Sequence, residues 1–132
     1  MKILIVDDDP IMLETLSRIL NAGGFEVLTA SDGVKAVDML EEKQFDLVIS
    51  DIMMPNLSGL GLLNILKKHY FNRIPVILIS SLDKAEIILS ALSMGADDFI
   101  LKPVNFLELK IRVQKYINVK QQSPDEMVNQ KY

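Results

Sequence analysis

The sequence predicts an open α/β domain, with five parallel strands alternating with five helices, on three observations. Short runs rich in β-branched residues recur at residues 3–6, 26–30, 47–50, 76–80 and 99–101. Between them lie longer segments whose apolar residues recur at helical spacing. The runs at 3–6, 47–50 and 76–80 are almost continuously apolar, as expected of parallel strands covered on both faces by right-handed crossover helices.

Taken in order, the first strand ends at Asp7, Asp8 and Asp9, and Asp9 stands where a helix N-cap belongs, ahead of Pro10 at the first helical position. Leu13, Leu16, Ile19 and Leu20 form one stripe and Gly23-Gly24 a stop, which predicts a helix over 10–22. The second helix follows Ser31-Asp32-Gly33, with Val34, Val37 and Leu40 expected to face inward. The third follows Ser58, with Leu62, Leu63 and Leu66 as its apolar side, and Pro75 closes the turn before strand four. Asp83 with Glu86, and Asn105 with Glu108, resemble capping boxes opening the last two helices. The fourth helix carries Ile87, Ile88, Leu89, Ala91, Leu92 and Met94, more apolar positions than one buried stripe needs. The surplus is either core or, together with Lys110 and Gln114 of the fifth helix, a partner surface. From Val119 the apolar stripe is lost and Pro124 interrupts a polar stretch. Residues 1–118 are therefore expected to be one domain and 119–132 a polar tail or the start of a linker.

With 132 residues, 49% hydrophobic and 24% charged, the chain suits one domain with an ordinary core. Its formal charge of −4 offers no basic field for a phosphate backbone, so direct nucleic-acid binding is not expected. The absence of cysteine excludes a disulfide framework, a thiolate metal site and a thiol nucleophile. The first apolar run stops at the aspartates, too short for the core of a signal peptide, and no stretch approaches the roughly 18 apolar residues that cross a membrane. A cytoplasmic protein is expected.

For such a chain the natural strand order is 2-1-3-4-5, the flavodoxin-like arrangement. Its switch point lies between strands one and three, so Asp7 and Asp8 meet Asp51 at the carboxyl ends. Two carboxylates about 4 Å apart repel by roughly 4 kcal/mol at an effective dielectric near 20, which invites a cation or a proton. Hard oxygen donors without sulfur or imidazole favour Mg²⁺ or a similar ion. Lys102-Pro103 follows strand five and Ser80 ends strand four, so an ammonium and a hydroxyl reach the same end of the sheet. A metal, Lys102 and Ser80 around Asp51 would neutralise a phosphoryl group in transfer, with the ionised Asp51 as in-line nucleophile. Bland roles suit the other candidates: Asp9 as a cap, Met53 and Met54 as loop packing, Asp97 and Asp98 flanking strand five. His69, the only histidine, falls near the end of the third helix.

These pieces together resemble the receiver domain of two-component response regulators, the CheY-like superfamily. The matching segments are Val6-Asp7-Asp8-Asp9, the run from Asp51-Ile52-Met53-Met54-Pro55 to Gly59, Ile77-Leu78-Ile79-Ser80-Ser81, Gly95-Ala96-Asp97-Asp98-Phe99 and Lys102-Pro103. The likeness covers about residues 2–118. It implies that Asp51 is the phosphoacceptor, Asp8 a direct metal ligand, Asp7 an acidic partner acting through metal-bound water, and Met53 a ligand through its backbone carbonyl. Mg²⁺, or Mn²⁺ in its place, would be the metal. Lys102 and Ser80 would contact the phosphoryl oxygens, Phe99 would be the aromatic switch residue with Ser80, and the Lys102-Pro103 bond would be cis. The implied partners are a histidine kinase or histidine phosphotransferase and a downstream protein or output domain. The face of helix four, strand five and helix five serves for partner binding or a homodimer. The chain departs from the common pattern at Ser80, where threonine is commoner, and at Ser81, Phe99 and Val104. Met53 and Leu82 flank the approach to Asp51 in the family pattern.

Catalysis is expected only as self-phosphorylation from small donors and autodephosphorylation. The competing classes are a Mg²⁺-dependent aspartyl-phosphate phosphohydrolase, which generally needs an acid where Met53 stands, and a degenerate receiver that only binds. A flavodoxin-like cofactor module would need a glycine-rich phosphate loop after strand one, where carboxylates stand instead.

Overall fold

The computed structural model describes residues 1–69 and 74–121. Five strands, β1 (Lys2–Val6), β2 (Glu26–Ala30), β3 (Leu47–Asp51), β4 (Val76–Ser80) and β5 (Asp98–Leu101), alternate with α1 (Pro10–Ala22), α2 (Gly33–Glu42), α3 (Gly59–Lys68), α4 (Ala85–Ser93) and α5 (Phe106–Gln121). The sheet is parallel throughout, in the order β2-β1-β3-β4-β5, as the sequence predicts for a flavodoxin-like receiver fold. Helix α5 continues to Gln121, and residues 122–132, most of the expected tail, lie outside the described residues.

Alternation along each strand divides the core into two layers. Leu4, Val6, Val48, Val76 and Leu78 point to one face, against Ala36 and Leu40 of α2, Leu62, Leu63 and Leu66 of α3, and Ala91 of α4. Ile3, Ile5, Leu47, Ile49, Ile77, Ile79 and Ile100 point to the other, against Leu16 and Leu20 of α1 and Leu109, Val113 and Ile117 of α5. Each fully buried aliphatic side chain contributes about 1.5–3 kcal/mol by leaving water. Two such layers hold the central strands rigidly, and with them the loops at their carboxyl ends.

The helix starts follow their caps. Asp9 accepts from the Ile11 amide, Asp32 from Lys35 and Ser58 from Gly61, each at the N-cap. Asn105 accepts from the Glu108 amide at 3.0 Å, but the Glu108 carboxylate turns to Arg112 at 2.6 Å rather than completing a box. Gly24 at φ +93° ends α1 in the left-handed region that glycine enters freely.

Two further expectations are corrected. Val34 is 48% exposed, while Ala36 and Leu40 are buried. The Asp32 cap and the close seating of Gly33 on Leu57 fix the phase of α2, and at 100° per residue Val34 then falls on the far side from Ala36. Asp83 does not cap α4: the N-cap is Lys84, with no side-chain hydrogen bond, so this start is one residue later and unboxed.

Candidate functional site

Strands β1 and β3 are neighbours in register, Val6 beside Ser50, so the residues that follow leave the sheet side by side. One carboxylate oxygen from each of Asp7, Asp8 and Asp51 lies within 4.8 Å of the others. Asp7 and Asp51 are buried and Asp8 is exposed, so the cluster is a pit with one acid at its mouth. Oδ1 of Asp7 accepts from the Asp9 amide at 2.9 Å, and Oδ1 of Asp51 from the Ile52 amide at 2.8 Å. These bonds aim the remaining oxygens.

Lys102 extends from the end of β5 over two strands. Its Nζ lies 3.2 Å from Oδ2 of Asp51 and 3.5 Å from Oδ2 of Asp7. Burial would lower the ammonium's pKa, but attraction to Asp51 and Asp7 outweighs it and holds the pKa above the usual lysine value. Burial pushes the Asp7 carboxyl above its ordinary 3.8; repulsion by Asp51 and Asp8 adds to this, while the Asp9 amide and Lys102 oppose it. Lys102 therefore neutralises the pit only in part. The surplus negative charge and an all-oxygen donor set fit a hard divalent cation.

The raised Asp7 value has a consequence for the metal-free protein. An acid with a higher pKa folded than unfolded binds its proton more tightly when folded, so stability falls as pH rises through the ordinary and then the raised value. Above both values this difference is a standing cost to the folded state. Asp7→Asn keeps an acceptor for the Asp9 amide and removes the charge, so without Mg²⁺ at pH 7 its Tm should rise by roughly 2–5 °C. A Tm equal to wild type or lower counts against this account of the pit.

Ser80 is fully buried and its Oγ accepts from the Leu82 amide at 3.0 Å, leaving its proton to donate elsewhere. Phe99 is half-buried beside Leu78, its register partner across β4 and β5, and packs on the α2–α4 layer. Met53 is 60% exposed, and the Lys102-Pro103 bond is cis. Asp9 serves as the α1 cap. Asp97 accepts from the Val76 amide at 2.8 Å and from Lys67 at 3.3 Å, at the opposite end of the sheet. His69 is the exposed C-cap of α3.

Sequence reasoning passed over the scaffold of the β3–α3 loop. Gly59 donates to the Ile52 carbonyl at 2.8 Å, closing the loop at its base. Asn56, at φ +69°, donates from Nδ2 to Oδ2 of Asp32 at 3.2 Å. The Pro55-Asn56 pair was the available signal, because asparagine after proline marks a turn and tolerates the left-handed region. Its partner, 24 positions away, had none.

Among the described residues, no helix is long and apolar enough to cross a membrane.

A family model described as response regulator receiver domain matches residues 3–114. The DNA-binding response regulator MtrA of Mycolicibacterium smegmatis is 30% identical over 128 residues, covering 97% of this chain and 55% of that protein. The response regulator GtcR of Aneurinibacillus migulanus is 39% identical over 112 residues, 85% of this chain and 46% of that protein. The chain thus spans about half the length of these two relatives. Among solved structures, the receiver domain of the Francisella response regulator 1452 superposes with a TM-score of 0.87 at 34% identity, covering 91% of this chain and 98% of that one.

Proposed function

Because the chain belongs to the response regulator receiver domain family, we propose that it is a phosphorylation-dependent switch in which Asp51 accepts the phosphoryl group. Receivers of this family are signalling modules of two-component systems rather than classical enzymes. The observation that carries the assignment is the bridge of Lys102 to Asp51 and Asp7 at 3.2 and 3.5 Å, over three converging carboxylates.

In this reading Asp8, Asp7, Asp51 and the Met53 carbonyl hold Mg²⁺, or Mn²⁺. When bound, the ion supplies positive charge to the phosphoryl oxygens and offsets the pit's acidity. Asp51 attacks as a carboxylate, a nucleophile that needs no general base. Its oxygen bonds to the phosphorus of a phosphohistidine donor in line, the P–N bond breaks, and the imidazole leaves with the electron pair and takes a proton from solvent. Lys102 pairs with a transferring oxygen, and Ser80 donates its hydroxyl to another. The product carries about −1.5 to −2 charges, which recruit Ser80 and Lys102 toward it. Ser80 then vacates space behind it and Phe99 turns inward on packing alone, reshaping the face of α4, β5 and α5. Moving such an equilibrium from 1:99 to 99:1 needs about 5.5 kcal/mol, so partial switching is expected.

The donor is a histidine kinase or histidine phosphotransferase, and the output is a downstream protein or an output domain, with no direct nucleic-acid contact by this chain. Residues 1–118 act as the receiver and 119–132 as a tail or linker, in the cytoplasm. A specific observation favours the α4–β5–α5 face for the output partner or a homodimer: Leu89, Leu92 and Leu101 are 65%, 43% and 44% exposed.

The test is intact-mass analysis after incubation with acetyl phosphate. One phosphoryl group should be gained in Mg²⁺ and none in excess EDTA, and Asp8→Ala should weaken Mg²⁺ binding by at least about tenfold. Labelling unaffected by metal removal would refute the reading.

A further inference from the structure

The loop from Ile52 to Ser58 packs Met54 and Leu57 on the core and is tied to its surroundings by a hydrogen bond on either side of Met53. At its base the Gly59 amide bonds to the Ile52 carbonyl at 2.8 Å. At its far side Asn56 reaches Asp32, the N-cap of α2, at 3.2 Å. Met53 lies between the two anchors and is itself 60% exposed, so side-chain burial does little to fix its backbone. Asn56 sits at φ +69°, where glycine is stereochemically freer, so its amide is the reason an asparagine suits the position. The acceptor is a carboxylate whose pKa is held down by the Lys35 amide and by Asn56 itself, so the bond is charge-assisted. Asp32 is 9% exposed and its other oxygen is committed to the Lys35 amide at 2.9 Å, which makes it a rigid post.

We propose that Asn56 and Asp32 are positioning residues for the metal site: their hydrogen bond ties the β3–α3 loop to the start of α2 and so sets where the Met53 carbonyl stands. This deepens the proposed function and rests on Met53 being a ligand of the cation. Neither residue touches the ion or the phosphoryl group. They act on cation affinity through the loop, and α2 becomes an element to which that affinity is coupled.

The experiment is calorimetric titration of the whole chain with MgCl₂. Asn56→Gly keeps the left-handed backbone and removes only the amide, and should weaken Mg²⁺ binding about fivefold. Asn56→Asp sets a second carboxylate against Asp32 and should weaken it further. Adding Asp32→Asn to Asn56→Asp restores the bond with its polarity reversed, since the new amide can still cap α2 through its oxygen, and should return the affinity to within about twofold of wild type. A general structural loss would not be rescued by that exchange. Wild-type affinity in both single variants, or no recovery in the double variant, overturns the latch. Failure of the wild-type chain itself to bind Mg²⁺ removes the metal reading on which the latch rests, and is a distinct result.

Discussion

Asp51→Asn should lower phosphoryl incorporation from acetyl phosphate in Mg²⁺ by more than about 10³-fold, read as loss of the phosphoryl mass increment. The change is nearly isosteric. The Ile52 amide, 2.8 Å from Oδ1, keeps an acceptor, and β3 remains paired between β1 and β4. What disappears is the negative oxygen proposed to form the bond to phosphorus, together with the charge that holds Lys102 at 3.2 Å. Removing one of three crowded carboxylates should not destabilise the metal-free fold, so loss of labelling reports chemistry rather than unfolding. Equal labelling of the two proteins would move the acceptor elsewhere.

Gly59→Ala should cost about 3 kcal/mol or more, read as a lower midpoint in urea with an unchanged slope. A Cβ built at Gly59 falls 2.1 Å from the Asp51 carbonyl oxygen, 2.8 Å from Cα of Ile52 and 2.9 Å from the Asp51 carbonyl carbon. All three are backbone atoms, at the end of a strand buried along its whole length, and none can swing aside as a side-chain tip could. Relief requires the end of β3 to move, which draws Asp51 from Lys102 and should slow phosphorylation in whatever fraction stays folded. Gly24→Ala is the contrast: φ is +93° but nothing lies within 4 Å, so only backbone strain of about 1–2 kcal/mol is expected. Equal losses at the two positions would contradict the distinction between lack of space and backbone strain.

The site was legible because its side chains all sit at strand ends. Asp7, Asp51, Ser80 and Lys102 are each announced by an apolar run just before them, and alternation of strand and helix forces those ends to one edge of the sheet. Helix phase was less legible. Val34 and Ala36 are both apolar enough for a stripe, and the Asp32 cap with the seating of Gly33 on Leu57 chose Ala36. The start of α4 misled for a related reason: Asp83 is chemically a good cap, but the cap position went to Lys84, where it makes no side-chain bond.

By itself the sequence determined the alternation of five strands with five helices and the carboxyl-end location of the acids, which follow from local periodicity and residue type, and the strand order it suggested is the natural one for such a chain. Only the tertiary structure decided that Lys102 bridges Asp51 and Asp7, that Gly59 is seated directly on the Asp51 carbonyl, and that Asn56 reaches Asp32. Those contacts join residues on different elements, at distances of 3.2 and 3.5 Å for the lysine and 3.2 Å for the asparagine. Chain spacing carries no information at that scale; the packing of helices on both faces of the sheet sets it.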